Sequence, residues 1–237
     1  MATANFLTYT PSGVEQLNAR YPHLRVVASG SAGADIYGGT ISIPDLWPEC
    51  PVFMIRPAAG VSVGGFVIFQ RNPYMTPQTG VRYQSNGSFQ WALASTLGTP
   101  ISVGPSNVGL KMWDESGRLT FSTQYKYPRI VSIASVASPS FGNAPMSSAV
   151  GISGWGGGGM PWIIANDLIY VYEAPDGAGG GYPTAAFAAM VNSGLSVLTV
   201  EMRSSDDWAS TGFGLQPSYN PYASRPLRLP LCVIPGL

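Results

Sequence analysis

The stretch Val81-Arg82-Tyr83-Gln84-Ser85-Asn86-Gly87-Ser88-Phe89-Gln90-Trp91-Ala92-Leu93 decides the fold class. Two short runs rich in aromatic and β-branched residues flank Asn-Gly, a pair that tolerates positive φ. The reading is a β-hairpin with strands at 81–84 and 88–93. Working outward, Leu110-Lys111-Met112-Trp113 and Leu119-Thr120-Phe121-Ser122 flank Asp114-Glu115-Ser116-Gly117 and give a second hairpin. Gly65-Phe66-Val67-Ile68-Phe69-Gln70 is an apolar run of strand length. Leu168-Ile169-Tyr170-Val171-Tyr172 and Leu195-Ser196-Val197-Leu198-Thr199-Val200 add two more strands. Helix is suggested only at 184–192 (TAAFAAMVN) and at 12–20. The expected fold is mainly β. It is a β-sandwich or a pair of antiparallel sheets with long Gly/Pro-rich loops and at most one or two short helices.

Composition agrees with this. The 237 residues include 29 Gly and 21 Pro, which leaves little room for long helices. Charged residues make up 10%, against roughly 25% in an ordinary soluble domain. The 12 basic and 12 acidic residues cancel, so there is no electrostatic footprint for nucleic acid. So few charges point to a large surface covered by other subunits. The uncharged stretches 130–166 and 177–200 are broken by Pro, Gly and Asn, so neither reads as a membrane span. Residues 1–10, MATANFLTYT, lack the pattern of a signal peptide. Either the chain is one domain, or a boundary between an N-terminal β region (1–140) and a C-terminal β region (141–237) falls within 138–148, where Pro, Ser and Ala replace strand patterning.

Motifs for chemistry are sparse. His23 is the one histidine, so any His-dependent triad must use it. Gly60-Val61-Ser62-Val63-Gly64 has the form of a nucleophile elbow, but an apolar strand follows Ser62 where a helix is required. Gly154-Trp155-Gly156-Gly157-Gly158-Gly159 has the form of a dinucleotide loop without a βαβ unit around it. Asn86-Gly87-Ser88 is a sequon in form that the hairpin explains. Glu173, Glu201, Asp206 and Asp207 are the only carboxylates worth testing for glycan hydrolysis, and nothing in the spacing pairs them. Cys50 and Cys232 lack metal-ligand spacing and are expected to be buried free thiols. The reading is therefore not an enzyme, with no cofactor and no metal. The C-terminal half carries Trp155, Trp162, Tyr182, Trp208, Tyr219 and Tyr222, candidates for subunit or glycan contact. The Pro-rich end, 217–237, is expected to lie as an edge strand or an arm along a neighbour.

One internal similarity stands out. Residues 8–27 contain Ser12-Gly13, then Tyr21-Pro22, then Arg25-Val26-Val27. Residues 111–131 contain Ser116-Gly117, then Tyr127-Pro128, then Arg129-Ile130-Val131, with two extra residues between Ser-Gly and Tyr-Pro. Each reads as a hairpin turn, a returning strand, and a Pro that forces an extended lead into the next strand.

The segment 109–131, GLKMWDESGRLTFSTQYKYPRIV, resembles a recurring element of tailed-bacteriophage tail-tip and tail-fibre-associated proteins. In these a strand and turn are followed by an x-x-F-x-S/D-x strand and a short apolar strand. Here the turn is Ser116-Gly117, the strand runs over 119–123 and the continuation over 128–133. Residues 6–27 carry the related pattern. The resemblance implies a structural virion protein at the distal end of a phage tail. Its partners would be other tail proteins and further copies of itself, often a trimer about a three-fold axis. The alternative is a receptor-binding module that touches host surface glycan through the C-terminal aromatics.

Overall fold

The computed structural model describes residues 7–9, 15–18, 22–46, 49–69, 79–102, 109–136, 146–151, 160–166, 168, 170–173, 182–191, 197–203 and 227–237. These residues contain strands and no helix. In chain order the strands are β1 (Leu7–Tyr9), β2 (Glu15–Asn18), β3 (Arg25–Ala32), β4 (Asp35–Ser42), β5 (Val52–Pro57), β6 (Ser62–Phe69), β7 (Gly80–Ser85) and β8 (Phe89–Ser95). There follow β9 (Lys111–Trp113), β10 (Leu119–Ser122), β11 (Arg129–Val136), β12 (Met146–Gly151), β13 (Trp162–Ile164), β14 (Tyr170–Glu173), β15 (Tyr182–Val191), β16 (Val197–Arg203) and β17 (Leu227–Val233).

They form two large antiparallel sheets and two separate hairpins. The six-stranded sheet runs β11-β17-β13-β5-β8-β3. The seven-stranded sheet runs β12-β16-β15-β6-β7-β4, with β14 added beside β15. Between them lies one apolar core. Phe53, Ile55, Leu93, Ile163, Leu229 and Leu231 come from the first sheet, and Ile41, Val63, Phe66, Val81 and Tyr83 from the second. The expected sandwich is therefore present. The six-stranded sheet is also covered on its other face, by a second cluster built on Val26, Met54, Ala92, Ala94, Trp162 and Cys232. This is why β5, Val-Phe-Met-Ile, reads as a continuous apolar run rather than an alternating one.

Strand order shows that the chain uses one unit twice. In the six-stranded sheet the first half supplies β5-β8-β3 and the second supplies β13-β17-β11. In the other sheet the sets are β6-β7-β4 and β15-β16-β12. Each half is preceded by its own hairpin, β1-β2 or β9-β10. Register agrees residue by residue. Leu7, Thr8 and Tyr9 face Asn18, Leu17 and Glu15, as Lys111, Met112 and Trp113 face Ser122, Phe121 and Leu119. Arg25 faces Ser95 and Ala32 faces Phe89, with an irregularity between Val26 and Ala28. Likewise Arg129 faces Val233 and Val136 faces Leu227, with the irregularity between Ile130 and Ser132. At the centre of the molecule equivalent strands meet antiparallel, β5 with β13 (Met54 opposite Ile164) and β6 with β15 (Gly64 opposite Ala188). A two-fold axis normal to the sheets requires that arrangement. Among the described residues, strand β14 has no mate in the first half.

The repeat corrects the alignment taken from the sequence. The shift that carries Ser12 to Ser116 also carries Arg25 to Arg129, and it matches Tyr21 to Tyr125 rather than to Tyr127. No residues are inserted between the hairpin and the strand. The junction between repeats lies between Ser95 and Lys111. A division at 140 does not follow the sheets, because both contain strands from either side of it.

Four local expectations also change. Asn86-Gly87 does not close a hairpin: β7 belongs to the seven-stranded sheet and β8 to the six-stranded one, so the turn is a corner between layers. The Ser85 hydroxyl donates to the Gly87 carbonyl (2.7 Å) and accepts from its N–H (3.3 Å), and a Cβ on Gly87 would stand 2.6 Å from Val61 Cγ2. Of the segment 184–192, residues 184–191 are strand, in β15, and residue 192 lies outside the described residues. Apolar runs of this length do not separate helix from strand, and pairing on both sides of β15 overrides alanine's helix preference. Within 12–20, residues 15–18 are strand β2. Strand β17 from the Pro-rich end is interior, between β11 and β13. Its ladder to β13 stops at Leu231, one residue short of Pro230, which has no N–H to contribute.

The β9-β10 hairpin forms as read. Gly117 sits at φ +76° in the turn, and Asp114 Oδ1 accepts from the Ser116 and Arg118 N–H groups at 3.0 and 2.9 Å.

Candidate functional site

Two features within the described residues differ from ordinary packing. The first is the edge formed by β11. The second is a cavity of about 660 Å³ against the covered face of the six-stranded sheet.

Strand β11 ends the six-stranded sheet, as its mate β3 ends it on the other side. The mates differ in cover. Val26 and Val27 are 0% and 9% exposed, whereas Ile130 and Val131 are 60% and 45% exposed, and Ile133 is 57% exposed. The cause lies in the backbone beside β3. Val26 N–H donates to the Lys126 carbonyl and Val26 carbonyl accepts from Ile101 N–H, both at 2.8 Å. His23 N–H donates to the Thr120 carbonyl at 3.1 Å, and its ring stands edge-on to Phe121, 5.6 Å between centroids. The Arg25 guanidinium lies 5.8 Å over the Tyr125 ring. Residues leading into β3 thus touch those leading into β11, although these strands are at opposite margins of one sheet. The sheet must coil strongly to bring its diagonal corners together.

Glu49 fixes the segment that reaches Val26. It accepts from Ser95 Oγ at 2.5 Å and from the N–H groups of Thr96 and Leu97 at 2.9 and 3.0 Å. Burial alone would raise the Glu49 carboxyl, but these hydrogen bonds outweigh it and hold the group below the ordinary carboxylate value. This carboxylate is a structural clamp on the loop that continues to Ile101.

In the cavity, Arg56 lies over the Trp162 ring, 4.6 Å from its guanidinium carbon to the centroid. Its Nε and Nη2 donate to Gln90 Oε1 and its Nη1 to the Leu237 carbonyl (3.0 Å). Burial lowers the guanidinium from its ordinary value. Phe89 and Ile234 supply apolar wall, and Trp162 keeps a buried indole N–H without an acceptor. Such a chamber suits a flat apolar group that carries a hydrogen-bond acceptor.

Of the aromatic candidates, Trp162 is 3% exposed and belongs to the second core cluster. Tyr182 opens β15 opposite Glu173. Trp155, Trp208, Tyr219 and Tyr222 lie outside the described residues, as do Asp206, Asp207 and Gly154-to-Gly159. Glu173 is on β14 and Glu201 on β16, facing Ala188. Ser62 opens β6, and strand, not helix, follows it. Among the described residues no group of His, Cys, Asp and Glu is arranged to hold a metal ion, and no helix is long and apolar enough to cross a membrane. Cys232 is buried with Sγ 3.6 Å from Met54 Sδ, and burial pushes its thiol up to about 12. Cys50, expected to be buried, is exposed.

The residues that the sequence reading missed are Ile130, Val131 and Ile133. Their signal was visible: Arg129-Ile130-Val131-Ser132-Ile133 does not alternate as a half-buried strand does. No protein-family model, curated protein or solved structure matches the chain.

Proposed function

We propose that this chain is a structural protein of a bacteriophage tail tip or baseplate, joining the tail to fibres or receptor-binding proteins. Its role is mechanical and its place is the virion, after synthesis in the host cytoplasm. The observation that supports this reading is the hairpin-then-strand element of the resemblance. It occurs twice, as β1-β2 before β3 and β9-β10 before β11, at the two margins of one sheet. An all-β body with 10% charged residues and bare apolar side chains at one margin suits a part that is finished by its neighbours.

Immunogold labelling of purified particles, with mass spectrometry of their proteins, tests it. Gold at the distal tail end is the expected result. Particles that lack the chain would overturn the reading.

A further inference from the structure

We propose that β11 is the margin through which two copies of this chain pair, strand against strand, into a closed dimer. An edge strand with exposed Ile130, Val131 and Ile133 is a template for another strand. Natural edges are guarded by Lys, Pro or inward charge; β11 carries one charged residue, Arg129, at its very start. The other repeat shows what the position is built to receive. Its mate Val26 is engaged by backbone on its outer side, through Lys126 and Ile101, and is fully buried. The occupant of the β11 margin is therefore backbone that hydrogen-bonds the outer side of the strand.

A second copy supplies it by a mode the molecule already uses. Within the chain the two repeats are joined by antiparallel pairing of equivalent strands, β5 with β13 and β6 with β15. Strand β11 laid antiparallel on β11 of another copy repeats that mode across a true two-fold axis. Antiparallel pairing also separates the two Arg129 side chains to opposite ends. Among the described residues, the β3 margin of the six-stranded sheet is engaged at Val26 by the chain's own backbone, so this sheet offers its β11 margin, and a two-fold pairing of β11 with β11 closes a dimer instead of extending a fibre. The proposal does not depend on the tail assignment.

The test is sedimentation equilibrium or light scattering on the purified full chain, with hydrogen exchange read over the β11 peptide. The expected particle has twice the 25.0 kDa chain mass, with β11 amides protected in a concentration-dependent way. The I130K/I133K variant should be a monomer with an unchanged circular dichroism spectrum and fast-exchanging β11 amides. If that variant fails to fold, Ile133→Lys alone and the concentration dependence of exchange in the parent decide. A parent that stays monomeric at high micromolar concentration would overturn the proposal. So would a trimer, or a dimer whose mass and β11 exchange ignore the lysines. A dimer in solution with no label on particles would remove the tail reading and leave this one standing.

Discussion

The two repeats share a strand order and a register but not a surface. In the first, the strand at the margin is closed over: Val26 is in the core, held by Ile101 and Lys126. In the second, the same position is Ile130, in solvent. The difference teaches that topology and burial are set separately. Hydrogen-bond register made both units alike, while the segment that follows β8 decided which margin is sealed. Glu49 matters out of proportion to its size for this reason, since it clamps that segment at Ser95, Thr96 and Leu97.

The largest effects should come from positions where the repeats share one core. Phe53 and its mate Ile163 are both fully buried, and Phe53 also meets Phe66 edge-on at 5.2 Å. Phe53→Ala should cost about 4 kcal/mol and Ile163→Ala about 3 kcal/mol. Urea melts should show one transition for each variant. Two separate transitions would break the picture of a single core built by both halves.

The margins give the next test. Val26→Ala should cost about 2 kcal/mol through lost burial, while Ile130→Ala in the monomeric state should stay within about 0.5 kcal/mol. Equal costs in thermal melts would erase the contrast between β3 and β11.

Two glycines separate corner from hairpin. Gly87→Ala should destabilise by about 1–2 kcal/mol through collision with Val61, and Val61→Ala should relieve much of that. Gly117→Ala should cost about 1 kcal/mol because φ is +76°, with no neighbour able to relieve it. Double-mutant cycles in denaturant distinguish the two cases.

Glu49 sharpens the comparison on the acid side. Its carboxyl lies lower when folded than when unfolded. Its contribution is therefore complete above the ordinary carboxylate value and is lost as pH falls through the folded value. Glu49→Gln should lower stability at neutral pH by about 1 kcal/mol, after allowance for its exposure, and the gap to the parent should close in acid. A gap that widens on acidification would contradict the clamp. The smallest effect belongs to the thiols. Cys50 should react with a thiol reagent in the native protein, and Cys232 only on unfolding.

Much of the fold was legible in short apolar runs and turn residues, as at Asp114-Glu115-Ser116-Gly117, where local hydrogen bonds specify the hairpin. Asn86-Gly87 misled because a turn signal gives a change of direction and not the layer in which the chain continues. That choice was made by the apolar faces of β7 and β8, whose partners are remote in sequence. Ala185-Ala186-Phe187-Ala188-Ala189 misled because small residues accept either backbone, and pairing on both sides decided. The repeat was visible at Ser-Gly and Arg-x-Val but was blurred by matching Tyr-Pro to Tyr-Pro. For the candidate margin, the apolar residues could be read directly. Their exposure could not, since it follows from which remote segment reaches which strand.

The chain passes between the two sheets at nearly every connection, from β3 to β4, β4 to β5, β5 to β6 and β7 to β8, and then again in the second half. Neither layer can be completed while the other is missing, because, apart from β6-β7, β14-β15 and β15-β16, paired neighbours within a layer are separated by excursions through its opposite. Acquisition of the native state should therefore be slow and all-or-none, governed by distant pairings. During synthesis, the leading half would wait with its central strands β5 and β6 bare until the trailing half emerges to cover them.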